Sequence, residues 1–164
     1  MTDQLERPIV MIAQAPGEGE DPGKPCTAPP FLRLARTVGG WRTREAQARF
    51  LQHFEKRNLL PDYLKPRRDG GEIWRPRTEA RDAAHIIRRE LAGRTILLVG
   101  RAVADAFGLG PHPLFQWKED YPVPGARAAI IPDPIVGFWW AEEENRNRAR
   151  GFFKELFEGE APAG

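Results

Sequence analysis

The stretch TILLV, Thr95–Val99, has no polar face. A strand of that kind is stable only where both of its sides are covered, which is the situation inside a parallel sheet layered by helices. Two further stretches read the same way. Pro8 to Ala15 is an apolar run that stops at Pro16-Gly17, and Ala126–Ile131 stops at Pro132. Both end in residues that turn the chain.

Helical patterns fill the spaces between these runs. Pro29-Pro30 precede Phe31, Leu32, Leu34, Ala35 and Val38, a helix closed by Gly39-Gly40. Thr43 opens a second helix to about His53, and Thr78 opens another to about Leu91. Gly100 starts a short helix through Ala106. The last helix runs from Glu142 to about Phe157, with Ala149, Phe152, Phe153 and Leu156 on one face. The segment Phe54–Leu60 has two readings, a strand or the end of the preceding helix. Residues 61–77, PDYLKPRRDGGEIWRPR, form a Pro/Gly/Arg-rich loop, and a loop of that length in a compact domain is usually functional or mobile.

Strands alternating with helices predict an α/β fold with a parallel sheet between helical layers. Ligands of such sheets bind beyond the carboxyl ends of the strands. AQAPGEGED, the segment after Asn58 and PDPIVGFWW are therefore expected to converge on one cleft. No repeat or second domain is evident, so residues 1–164 are read as one domain, with 1–7 and 159–164 as flexible ends.

Composition narrows the function classes. At 164 residues, with 41% hydrophobic and 29% charged residues, the chain can bury a core of its own. No run reaches the roughly 20 apolar residues of a membrane span, and no signal segment opens the chain. The single cysteine excludes an internal disulfide, a Cys-only zinc site and a Cys-ligated iron–sulfur cluster, and points to a reducing cytoplasm. His53, His85 and His112 lie far apart with no ligand spacing, so no metal is expected.

The net charge of +2 hides an uneven distribution. Seventeen Lys/Arg face eight Asp/Glu between Arg33 and Arg101, while acids gather at Glu18–Asp21, Glu142–Glu144 and from Glu155 onward. Solvated helix faces account for this pattern, and so does a basic surface for a phosphate backbone.

Three stretches together resemble the uracil-DNA glycosylase superfamily, in its bacterial and archaeal family 4 type. Ala13–Asp21 reads AQAPGEGED and is followed by GKPC, Gly23–Cys26, where the family carries a motif like G-E-x-P-G-x-x-E-D and then G-[RK]-P-F. ILLVGRAVADAFGL, Ile96–Leu109, is similar to the family's L-G-x-x-A strand-to-helix segment. IIPDPIVGFWW, Ile130–Trp140, with ENRNRAR after it, is similar to the P-H-P-S loop and last helix. The three occur in the family's order and cover most of the chain.

The resemblance implies a three-layer α/β/α sandwich with a central four-stranded, mostly parallel sheet. It also implies hydrolysis of the N-glycosidic bond of a damaged or unusual base, flipped out of double- or single-stranded DNA by a monomeric enzyme without a cofactor. Breaking that bond builds positive charge on the sugar and negative charge on the base. A carboxylate that orients water and donors around the base are then required.

Carried onto this sequence, the motif glutamate is Glu20, with Glu18 and Asp21 as the nearest substitutes. Pro16-Gly17, beside Ala15, would let backbone approach the nucleotide, and Gln14 would touch the base or the water. The family's base-reading asparagine falls on Asn58, for which a plain turn or cap role is the alternative. Arg57, Arg67, Arg68, Arg75 and Arg77 are candidate phosphate contacts, with a solvated surface position as the alternative for each. Ile135, Val136 or Phe138 would fill the vacated stack, whereas the Trp139-Trp140 pair is expected to pack the last helix.

Two departures bear on the substrate. Cys26 stands where the family has a phenylalanine that stacks on the base, which enlarges the pocket. Asp133 stands where the family has a histidine that donates to the leaving base, and Ile135 replaces the usual serine. An ionised Asp133 would repel a developing anion unless it is protonated or faces a donor. The four cysteines of the family 4 cluster are absent, so no cluster is expected. The expected substrate is accordingly a pyrimidine bulkier than uracil, such as the hydroxymethylated or glucosylated cytosine of phage DNA, with a purine lesion as the alternative, excised in repair or in defence against phage. An ordinary uracil-DNA glycosylase of base-excision repair, a non-catalytic DNA-binding relative and a small-molecule nucleosidase are the alternatives.

Overall fold

A computed structural model of the chain describes residues 8–14, 29–39, 43–60, 77–134 and 137–160. In chain order the elements are β1 (Ile9–Ala13), α1 (Pro29–Gly39), α2 (Arg44–Gln52), β2 (Phe54–Asn58), α3 (Arg77–Arg88) and β3 (Thr95–Val99). There follow α4 (Arg101–Ala106), β4 (Lys118–Glu119), β5 (Arg127–Ile131), α5 (Gly137–Ala141) and α6 (Glu143–Glu160).

The strands form one sheet in the order β2-β1-β3-β5-β4. The first four run parallel, and β4 lies antiparallel against β5. The expectation of four strands is therefore corrected to five among the described residues. The fifth escapes any sequence pattern because Lys118-Glu119 is a two-residue, exposed edge.

Burial explains which run went where. IVMIA is buried at every position and occupies the interior as β1. TILLV and RAAII are buried from their second residue onward. FEKRN of β2 buries only Phe54 fully. An edge strand can carry charges on its faces, and they discourage pairing with another chain. This settles Phe54–Leu60 as a strand that ends at Asn58, with Leu59 and Leu60 continuing beyond it.

Alternation along the strands sorts the core into two layers. Met11, Leu97, Val99, Ala129 and Ile131 pack with Phe31, Leu34 and Ala35 of α1, Phe50 and Leu51 of α2, and Phe152, Phe153 and Leu156 of α6. Val10, Ile12, Ile96, Leu98 and Ile130 pack with Ala80, Ala84 and Ile87 of α3 and Val103 and Ala104 of α4. The result is an α/β sandwich with helices on both faces. Phe50, Phe54, Phe153 and Phe157 meet edge-to-face or tilted with centroids 5.3–6.4 Å apart, an arrangement that adds to area burial.

Helix boundaries shift slightly from expectation. The carbonyl of Thr43 accepts the Gln47 N–H at 3.0 Å, so Thr43 does begin its helix. α3 starts at Arg77 and stops three residues before Leu91, while α6 continues past Phe157 to Glu160. The one-turn α5 between β5 and α6 was not expected. No helix among the described residues is long and apolar enough to cross a membrane.

Candidate base-binding site

The path of the chain through the sheet fixes where a cleft can open. From β1 the chain crosses to β2 on one side, and from β2 it returns to β3 on the other. α1 follows β1 on one face, whereas α4 follows β3 on the opposite face. The connections diverge beyond the carboxyl ends of β1 and β3, the place where open α/β sheets hold their ligands. Gln14, Asn58, Gly100 and Asp133 all sit at that end of the sheet.

Asn58 is the most telling of these. It ends β2 opposite Ala13 of β1. Beyond it the Leu59 N–H donates to the Ala13 carbonyl and the Leu60 N–H to the Gln14 carbonyl, both at 2.8 Å. Leu59 and Leu60 are buried, so the backbone around Asn58 is anchored. By alternation its side chain lies on the face of Phe54. Both amide atoms, Oδ1 and Nδ2, are shut off from solvent, and neither has a hydrogen-bond partner among the described residues. Buried polar groups are nearly always bonded, and an orphan costs about 1–3 kcal/mol. A cap made by this amide would give it a backbone partner, and none is present among the described residues.

Asp133 occupies the far side of the same rim, two residues past β5. Three strand spacings separate it from Asn58, roughly 14 Å at the backbone. Gly100, the residue after β3, has φ +92, and a Cβ built there would lie 3.4 Å from Asp133 Cβ and 3.7 Å from its Oδ2. The Asp133 side chain thus rests over the glycine. The Gly100 N–H donates to the Ile131 carbonyl at 2.8 Å, and the Trp140 indole Nε1–H donates to the Asp133 carbonyl at 3.1 Å.

The turn that carries Trp140 is itself tied down. Asn145 Nδ2 donates to the Trp139 carbonyl at 2.9 Å, and Arg146 Nη1 donates to the carbonyls of Trp140 at 2.9 Å and Ala141 at 2.7 Å. Trp139 and Trp140 meet edge-to-face at 4.7 Å, Trp139 leans on Phe115, and Trp140 packs against the core. The last helix reaches the pair through hydrogen bonds to its backbone carbonyls. Phe138, next to them, is 81% exposed. Gly100, Trp140, Asn145 and Arg146 were not anticipated as site-building residues. A glycine directly after a buried strand was the one available signal.

Among the candidate phosphate contacts, Arg57 already has a partner within the protein. Its guanidinium pairs with the Glu90 carboxylate, and its side chain is only 33% exposed. Alternation turns it to the face opposite Asn58, alongside Glu55, which pairs with Arg94 at 3.0 Å. Arg77 opens α3. Ala15, Pro16, Gly17, Glu18, Glu20, Asp21, Cys26, Arg67, Arg68, Arg75, Ile135 and Val136 lie outside the described residues. The histidines remain apart, with His53 against Phe157, His85 exposed on α3, and His112 Nε2 bonded to the Gln116 carbonyl at 2.7 Å. Among the described residues no group of three His, Cys, Asp or Glu could hold a metal ion.

No family model matches the sequence, and no curated protein matches it.

Proposed function

We propose that this protein is a DNA glycosylase of the uracil-DNA glycosylase type, which flips a modified pyrimidine out of DNA and hydrolyses its N-glycosidic bond to leave an abasic site. The observation that carries this reading is the Asn58 amide at the carboxyl edge of the sheet, both of whose polar atoms are sealed from solvent and without a partner among the described residues. A pyrimidine edge presents a donor beside an acceptor, and an asparagine amide answers both at once. The mostly parallel sheet between helical layers is of the kind the sequence resemblance implies, with one strand more than expected.

The chemistry then divides among three stretches of chain. Glu20, or its neighbours Glu18 and Asp21, orients the water and offsets the positive charge that develops on the sugar. Asn58 holds the base, with Gln14 beside it. Asp133 supplies an acceptor to a base that bears a donor, and Cys26 leaves space for a 5-substituent. Uracil, small and without such a donor, is the poorer substrate. The basic middle of the chain, with Arg67, Arg68, Arg75 and Arg77, provides the phosphate contacts of an enzyme acting in repair or in defence against phage.

The test is an abasic-site assay under single-turnover conditions. Duplex and single-stranded DNAs carrying uracil, 5-hydroxymethyluracil, 5-hydroxymethylcytosine and glucosylated 5-hydroxymethylcytosine are the substrates. Strand breaks at a bulky base, slowed roughly 100-fold or more by Glu20→Gln, are the expected result. Uracil removed fastest would make the protein an ordinary uracil glycosylase. DNA bound without any base removed would overturn the reading in favour of a non-catalytic DNA-binding protein.

A further inference from the structure

The condition of Asn58 says more than that a base is read there. We infer that the site accepts 4-amino and 4-oxo pyrimidines alike, because nothing among the described residues fixes which way the Asn58 amide faces; this rests on the base-reading role proposed above. A primary amide is a donor at one end and an acceptor at the other. Half a turn about its last torsion exchanges the two ends, and that torsion is broad and roughly two-fold. A protein that needs one orientation must hold it with a hydrogen bond to Oδ1 or to Nδ2. Here neither atom has a partner among the described residues.

The two base classes differ at this edge by that exchange alone. A 4-oxo pyrimidine offers an acceptor at O4 and a donor at N3, and a 4-amino pyrimidine offers a donor at N4 and an acceptor at N3. One orientation of Asn58 matches the first and the other matches the second. Sites that hold their polar groups fixed reject a mismatched partner by factors of about 10⁴–10⁵, because the mismatch leaves buried groups unpaired. An amide that no hydrogen bond holds in one orientation avoids that penalty. Selectivity among pyrimidines then has to come from the 5-position and from the far rim, where Asp133 sits.

Rotation is confined to the side chain. The Asn58 backbone is paired with Ala13, and the next two N–H groups are bonded to the Ala13 and Gln14 carbonyls. Turning the amide therefore disturbs no ladder hydrogen bond.

The experiment is a binding measurement, because the two base classes differ as leaving groups and excision rates would mix that difference with recognition. Full-length protein is titrated with duplexes bearing 2′-fluoroarabino analogues of 5-hydroxymethyluracil or 5-hydroxymethylcytosine, whose glycosidic bonds resist cleavage. Each base is placed opposite an abasic analogue, so no pairing partner affects extrusion. Affinities within about tenfold of each other are expected, and Asn58→Leu should weaken both by a similar factor, about 10- to 100-fold. A preference beyond 100-fold for one analogue, lost in Asn58→Leu, would show an oriented amide and overturn the inference while leaving the base-reading role intact. Unchanged affinity for both analogues in Asn58→Leu would instead remove the base-reading role itself. The melting temperature of the same variant without DNA gives an independent reading. It should rise, since an unpaired buried amide is replaced by an apolar group of similar size. A fall would mean that the amide is bonded in the free protein, and would overturn the inference.

Discussion

Trp140 holds Asp133 by its backbone: the indole Nε1–H donates to the Asp133 carbonyl at 3.1 Å, across seven residues of chain. Arg146 and Asn145 hold the turn bearing that tryptophan, and Gly100 lies beneath the Asp133 side chain. One side of the rim is therefore positioned by residues that need not touch a substrate.

Trp140→Phe should test that arrangement. An aromatic ring remains, but the N–H and the indole's second ring are lost, and with them the Trp140 bond to the Asp133 carbonyl. Stability in urea should fall by about 1 kcal/mol. Single-turnover excision should slow more than DNA affinity weakens, because the change reaches Asp133 and not the phosphate contacts. Equal losses in rate and affinity would mean that the turn serves DNA binding instead.

Phe138 offers a cleaner separation of folding from function. At 81% exposure it contributes almost nothing to the core, so Phe138→Ala should change stability by less than about 0.5 kcal/mol. If its ring fills the space vacated by a flipped base, excision from duplex DNA should drop more than excision from single strands. An equal effect on both substrates would assign it to plain contact with the strand.

Salt dependence distinguishes the arginines. Binding through Lys and Arg releases condensed cations, so affinity falls with salt in proportion to the phosphates neutralised. Arg57 is already paired with Glu90, and Arg57→Gln should leave the slope of log affinity against log salt unchanged. Neutralising Arg67 and Arg68 together should flatten it by about one to two units. A flatter slope for Arg57→Gln would mean that the pair opens on DNA.

Alkaline pH reports on Tyr121. Burial pushes its phenol above the ordinary 10.0, against a smaller opposing pull from Arg88, and its O–H donates to the Phe107 carbonyl. The folded state therefore holds this proton more tightly than the unfolded chain does. That contribution is complete below pH 10 and is lost as pH rises from there through the folded value. Urea melts between pH 9 and pH 11 should show wild-type stability falling, with a shallower fall in Tyr121→Phe. Parallel curves would exclude Tyr121 as the source.

The legible parts of the fold were those whose residues meet one environment along their whole length. IVMIA, ILLV and AAII are apolar throughout because both faces of the inner strands are covered. FEKRN could be read as a strand or a helix end, since an edge strand keeps its charges and loses its pattern. Lys118-Glu119 carries no pattern at all. Asn58 could be singled out only through the family resemblance, and the pairing of Arg57 with Glu90 could not be seen at all. That contact joins residues 33 positions apart and depends on which face β2 turns toward α3. The hold of Trp140 on Asp133 was equally hidden, because a Trp pair ahead of a helix reads as packing.

The two hydrogen bonds that carry Leu59 and Leu60 past the end of β2 have a consequence for how this chain can vary. Side chains on a strand change face at every step, so sliding β2 by one residue against β1 would bring Arg57 or Leu59 to the place of Asn58. The sheet would still close, with a charge or a leucine where the amide had been. A single-residue insertion in the short turn at His53 that shifted β2 would thus take the amide from this edge, and with it the base-reading role proposed for Asn58, whereas two inserted residues would restore the original parity. For this edge, inheritance by substitution is open and inheritance by single-residue length change is closed.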